Sequence, residues 1–269
     1  MSIEAIPVWA FPLVTIVIVI VSIEAGYRLG RFAHQRSTDE KESPISVMSQ
    51  SILGLAAFML AFTFGIVANR FEVRKELVRE ETNAIPTASL RGDFLSEPDR
   101  DETRELMRQY VTARVALFQS RDTERVESFL SEAQRSHGRL WEIAVANARK
   151  DLNSHVAALY IESLNLVFDI HALRVAQGLQ ARIPTGIWLI LLALMCLGTM
   201  GVGYQTGIAG SKRSMARLIL AVSFALVISL IADLDRPGGG SIRVTHQPLI
   251  DLQSWMSDDS RVAGREETE

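Results

Sequence analysis

The 269-residue chain holds a single cysteine, Cys196, set inside an apolar run. One thiol excludes a disulfide framework or a cysteine-based metal site within one chain. Apolar surroundings also disfavour the reactive thiolate. Basic residues give no surplus: 28 Lys and Arg stand against 31 Asp and Glu, a formal net charge of -3. The basic footprint that a phosphate backbone requires is therefore missing, and nucleic acid is not an expected partner. Absent as well are G-x-S-x-G, a Walker loop, a dinucleotide fingerprint and H-E-x-x-H. An enzyme is not expected, and no cofactor or metal is assigned. The first twelve residues carry Glu4 but no Lys or Arg, so the positive region of a secretory signal is lacking. The oily run that follows ends in Glu24, Tyr27 and Arg28 without a small-residue cleavage site, and reads as a retained membrane span.

What is present is segregated. A mean hydropathy of +0.16 coexists with 22% charged residues. A bilayer core of about 30 Å needs about 20 mostly apolar residues in a helix. Four stretches meet that need, at about 8–29, 47–68, 184–204 and 218–232. The rival reading, buried helices of a large soluble core, does not suit four separate runs in so short a chain. The expected fold is an all-α integral membrane protein with four transmembrane helices and a helical extramembrane domain between spans 2 and 3. Residues 1–68 then hold spans 1 and 2, 69–183 the helical water-facing domain, 184–236 spans 3 and 4, and 237–269 a polar, partly disordered tail. Membrane lipid is the first expected partner.

In the middle region apolar residues recur at three and four positions, as in Leu106, Tyr110, Val111, Val115 and Phe118. Further series are Val126, Phe129, Leu130, Ala133, Leu140 and Trp141, then Val156, Leu159, Leu164, Val167, Phe168 and Leu173. This is amphipathic helix spacing without two-residue alternation. Pro98 and Asp99 mark a helix start; Pro86 and the stretch Ser120 to Asp122 mark bends or breaks. Between Asn69 and Ile85 there is no Gly or Pro, and helix formers abound. The second span is thus expected to continue from bilayer into water as one long helix, bent near Pro86 and able to transmit movement between the two phases. Charge does not orient it. Arg28, Arg31, Arg36, Lys41, Lys212, Arg213 and Arg217 flank one side; Arg70, Arg74, Lys75, Arg79, Arg174, Arg182, Arg236 and Arg243 flank the other.

Three groups of residues are candidates for function. Phe58, Phe62 and Ile66 fall four apart on one helix face, with Asn69 at its end. In an oligomer that face would make a pore constriction that gates by dewetting; alternatively it packs on other helices or lipid. Glu24 and Arg28, spaced to attract, lie with Arg70, Asp233, Asp235 and Arg236 near span ends, where ionisable groups are functional candidates. The acids Asp233 and Asp235 are open to two readings, a cation ligand pair or a structural pair that stops the helix before Pro237. Glu162, Asn165 and Asp169 share a helix face, with His171 on a neighbouring one; a solvated or subunit-contacting face suits them better than a metal site. Gly26 and Gly30, and Gly203 and Gly207, permit close helix approach.

The residues Phe62, Asn69-Arg70-Phe71, Arg74-Lys75 and Leu77-Val78 resemble the second span of bacterial bestrophins. Asp233-Leu234-Asp235-Arg236-Pro237-Gly238-Gly239 resembles their acidic-Pro-Gly segment. The chain as a whole is similar to the bestrophin-like family of bacterial membrane proteins. The features that carry this are Asn69-Arg70-Phe71, Glu80-Glu81, Asn83-Ala84-Ile85, Asp169, His171, Asp233 to Pro237 and Gln247-Pro248-Leu249. The resemblance implies a plasma-membrane homo-oligomer, a pentamer if it extends to true bestrophins. The second span would then line an ion pore, and the middle domain would be cytoplasmic. The run of consecutive acids that forms the calcium clasp of animal bestrophins is missing, so calcium gating is not implied. The alternative function is a non-conducting scaffold or sensor whose helical domain binds a partner.

Overall fold

A computed structural model describes residues 7, 9–36, 42–119, 123–211, 215–236 and 240–266, and every regular element among them is helical. The helices are α1 (Ala10–Arg36), α2 (Glu42–Gly92), α3 (Asp99–Gln119), α4 (Thr123–Lys150), α5 (His155–Val175), α6 (Thr185–Ile208), α7 (Ala216–Asp235) and α8 (Gln247–Glu266). A π-helical turn, Ala176–Gln180, extends α5. The expected break at Ser120 to Asp122, and Pro237 to Gly239, lie outside the described residues.

Local chemistry sets the helix ends. Pro184 precedes α6, where its missing N–H costs nothing. Asp99, Asp101 and Glu102 fill the first turn of α3, at the positive end of its dipole. Ser154 caps α5 by accepting from the Ala157 N–H at 3.2 Å. Gly210, at φ +64°, follows the end of α6 in the left-handed conformation that glycine adopts without steric cost.

The chain divides into two compact units. The first comprises Met1–Phe71 and Arg182–Arg243. Here α1 packs on α6 and α7, and Val19, Leu60, Val67, Met195, Ala221 and Ile231 are among the buried residues. The outward faces stay apolar, with Leu13, Val17, Val21, Leu189 and Leu226 exposed. In water such faces would be a heavy cost; in lipid they are the solvent contact. Several hydroxyls of these helices turn back on their own backbone. Ser49, Ser51, Thr63, Thr199, Thr206 and Ser223 each donate to the carbonyl four residues earlier, at 2.7–2.9 Å.

The second unit comprises Glu72–Ala181 and Val244–Glu269. Its core joins α3, α4, α5, α8 and the second half of α2, with Ile85, Met107, Leu140, Tyr160, Leu164 and Leu249 almost wholly buried. The segment expected as a polar tail instead forms α8, which buries Leu249, Leu252 and Met256 at three- and four-residue spacing.

All four expected spans are helices long and apolar enough to cross a membrane. There is also a fifth by length and composition, centred on α5. One face of α5 buries Ala157, Tyr160, Leu164, Val167 and Ile170 in the unit 2 core. Its outer face mixes Leu159, Leu166 and Leu173 with Glu162, Asn165 and Asp169. Helix α2 is not interrupted at Pro86, which lies inside it. A proline there removes one backbone bond, and Ala84, Ile85 and Ala88 around it are buried. At 1.5 Å per residue its 51 residues span about 76 Å, more than twice a bilayer core. The apolar part precedes Asn69, and the charged remainder extends beyond it.

Candidate functional site

The α2 face anticipated from spacing is present. Phe58 and Phe62 are 65% and 59% exposed, Ile66 is half-buried, and Asn69 is exposed at the end of the row. The opposite face carries Ala56, Leu60, Thr63 and Val67, all buried. Gly54 and Gly65 have open space where a side chain would stand. The chain thus leaves free a strip of two phenylalanines flanked by small residues.

The ionisable residues near span ends are engaged. Arg28 donates to Glu24 at 3.0 Å, and Arg217 approaches the other Glu24 oxygen at 3.9 Å. At the end of α7, Asp233 accepts from the Ser241 N–H at 2.8 Å, the Ser241 hydroxyl at 2.5 Å and the Ile242 N–H at 3.1 Å. Asp235 accepts from the Ile183 N–H at 3.1 Å and pairs with Arg70 at 3.5 Å. The Arg236 guanidinium lies 5.0 Å from the centre of the Phe11 ring. Asp233 thus folds the loop that follows, and Asp235 ties the start of α6 to α2.

In unit 2, Glu162, Asn165 and Asp169 are exposed together, and Glu162 pairs with Arg91 at 3.7 Å. His171 turns away from them. Its Nδ1 lies 3.0 Å from the Tyr110 hydroxyl, at the rim of a buried charge cluster. The centre is Glu81 on α2, with none of its surface exposed. Arg114 donates to both its oxygens, at 2.9 and 3.3 Å; Tyr110 donates at 2.7 Å, and Arg174 makes a further ion pair. Burial alone would raise the Glu81 carboxyl, but the two guanidiniums and the phenol outweigh it and hold it below the ordinary value. Burial, and beyond it the neighbouring Glu81 charge, push the Tyr110 phenol well up, so it stays a donor. Phe118 and Phe129 line the guanidiniums, with Arg114 4.9 Å from the Phe129 centre and Arg174 5.0 Å from that of Phe118. Among the described residues no group of three His, Cys, Asp or Glu is placed to hold a metal ion.

Residues 15–249 match the bestrophin-like domain. The chain belongs to the bestrophin-like family. No curated protein matches it. Among solved structures, it is similar to a bacterial bestrophin homologue from Klebsiella pneumoniae. An isoleucine-to-threonine variant of that homologue aligns at 16% identity and TM-score 0.59, covering 93% of this chain and 97% of that one. An aspartate-to-alanine variant aligns at 15% identity and TM-score 0.63, over 92% and 97% of the two chains. At that identity the likeness is one of fold. Family membership together with the apolar helices makes this bestrophin-like chain a membrane protein.

Spacing placed Tyr110 only as one member of an apolar stripe, and it did not single out His137, Arg114, Arg174 or His246 as members of a site. One signal was available. Arg114 falls four residues after Tyr110 and four before Phe118, inside an apolar stripe where a charge is out of place unless paired.

Proposed function

We propose that this bestrophin-like chain is an oligomeric ion channel of the plasma membrane, with α2 of each copy lining a central pore. The observation that carries the reading is the row of Phe58 and Phe62, large, apolar and exposed four residues apart on one face of α2. Rings of such side chains around an axis form an apolar neck narrow enough to dewet. Asn69, one turn past the neck, would meet hydrated ions. On this reading the assembly is a pentamer and unit 2 is cytoplasmic. Leu159, Leu166 and Leu173 on the outer face of α5 are the kind of surface that a neighbouring copy covers.

Purified protein in planar bilayers is expected to conduct, and Phe62→Ala to raise conductance or open probability. A sealed bilayer at verified incorporation would reject the channel. Images of the detergent-solubilised particle would count the subunits.

A further inference from the structure

We propose that unit 2 holds a proton-binding site, built from His137 and His246 around the Glu81–Arg114–Arg174 cluster, whose loading releases the start of α8. This does not depend on whether the assembly conducts.

The cluster carries one carboxylate against two guanidiniums, so it already holds a surplus buried positive charge. The Glu81 oxygens are taken by Tyr110, Arg114 and Arg174. Because a carboxylate only accepts, the Tyr110 proton goes to Glu81, and His171 must donate its Nδ1–H to the phenol oxygen. His171 thereby keeps a proton on Nδ1; burial first and Arg114 next lower its further protonation to about 4.

The other two imidazoles have no such partner. His137, on α4, lies between Phe168 and Tyr110, with ring centres 4.3 and 5.3 Å away, and stands edge-on to His171 at 4.9 Å. Its Nε2 is buried without a hydrogen bond. Arg114 and Glu81 are the charges that act on it. His246 stacks flat on Phe118 of α3 at 3.5 Å, and its Nδ1 is likewise buried and unbonded. Arg174 of α5, Arg114 of α3 and Glu81 of α2 act on it. It also begins α8: its carbonyl accepts from the N–H groups of Leu249 and Ile250.

A neutral imidazole tolerates a buried bare nitrogen. A protonated one places an unsatisfied donor and a charge beside two guanidiniums, with the nearby carboxylate saturated. At His246 the new charge would also face the positive end of the α8 dipole. Burial comes first and the arginines second in lowering His137 and His246 to about 4. A cleft of about 360 Å³ between α3 and α4, lined by Tyr110, Phe129, Ala133 and Ser136, borders this layer. The yielding part is the His246–Phe118 stack, because among the described residues α8 fully buries three side chains, Leu249, Leu252 and Met256, with Ile250 partly buried beside them.

The test is hydrogen exchange on the full chain in lipid nanodiscs at about pH 7.5 and about pH 5, corrected for intrinsic rates, following α8 against α6. Each imidazole that must protonate from 6.5 to about 4 contributes about 30-fold at pH 5, so α8 amides should open by at least that factor while α6 does not. His246→Phe keeps the stack without a titrating nitrogen and should lower the logarithmic response; adding His137→Phe should lower it further, leaving at most the share of His171. His246→Asn with His137→Gln, should the first pair fold poorly, must lower it equally. No acid response in the wild-type chain, or the full response kept in either double variant, overturns the proposal.

Discussion

A side chain on Gly26 would place its Cβ 1.9 Å from the carbonyl oxygen of Met200. The backbones of α1 and α6 are therefore in direct contact at this point. The contact is reciprocal, since a Cβ on Gly203 would stand 2.0 Å from the Ile23 carbonyl oxygen and one on Gly207 2.4 Å from that of Tyr27. Backbone atoms cannot swing aside as a flexible side chain can. Gly26→Ala and Gly203→Ala are thus expected to destabilise by at least the roughly 1–3 kcal/mol of ordinary overpacking. Gly54→Ala, with open space around it, is expected to be neutral. Thermal unfolding in detergent checks the contrast: both glycine-pair variants should melt lower and Gly54→Ala should not.

Glu81→Gln leaves Arg114 and Arg174 buried without their counter-charge. Breaking a buried ion pair in this way costs about 3–5 kcal/mol. The measurement is unfolding of unit 2 followed through Trp141 and Trp255. Glu81→Gln together with Arg114→Met should recover part of the loss.

Acid should act in one direction. Glu81 is held below its ordinary value of 4.5, so its contribution is full above about pH 4.5 and disappears as the pH falls further. His137 and His246 are lowered from 6.5 to about 4, so theirs is full above pH 6.5 and is lost from there towards 4. Unit 2 should therefore lose stability in two steps on acidification, the imidazoles first. Chemical denaturation at a series of pH values checks the order; a rise in stability between pH 6.5 and 5 would contradict it.

Asp233 organises the turn after α7, and Asp233→Ala strands the Ser241 and Ile242 N–H groups. These N–H groups lie on exposed residues, so water takes up part of the loss and the cost stays at about 1 kcal/mol. Gly240→Ala should fail in the same way, because its Cβ would sit 1.8 Å from the Asp233 carboxylate. Limited proteolysis should cut both variants between 236 and 246 faster than the wild-type chain.

Asn69 offers a direct handle on the pore reading. Asn69→Asp would add a ring of negative charge just beyond the phenylalanines and should move the reversal potential in a salt gradient towards that of cations. An unchanged potential would place Asn69 off the conduction path.

The long apolar helices were legible because lipid demands long apolar runs, and such runs stand at 8–29, 47–68, 184–204 and 218–232. Helix α5 was harder: Glu162, Asn165 and Asp169 interrupt its outer face and mask an apolarity close to that of a span. Helix α8 was missed because Gln, Ser and Asp dominate its composition, although Leu249, Leu252 and Met256 stand at helical spacing. The exposed row of Phe58 and Phe62 could be read from period alone. The Glu81 cluster could not, since Arg114 lies 33 residues away from its partner and Arg174 lies 93 away. Periodicity shows that a residue faces inward, not what it meets there.

The hydroxyls of Ser51 and Ser223, on exposed faces, spend their hydrogen bonds on the helices that carry them. At such positions the helices present no spare donors to a neighbour. A copy of this chain meeting another inside the bilayer would find there only contours, with little polar pairing to fix its register. Recognition across those faces would rest on van der Waals fit. The most disruptive surface changes should then be those that alter volume by a methyl group or two, more than those that alter polarity.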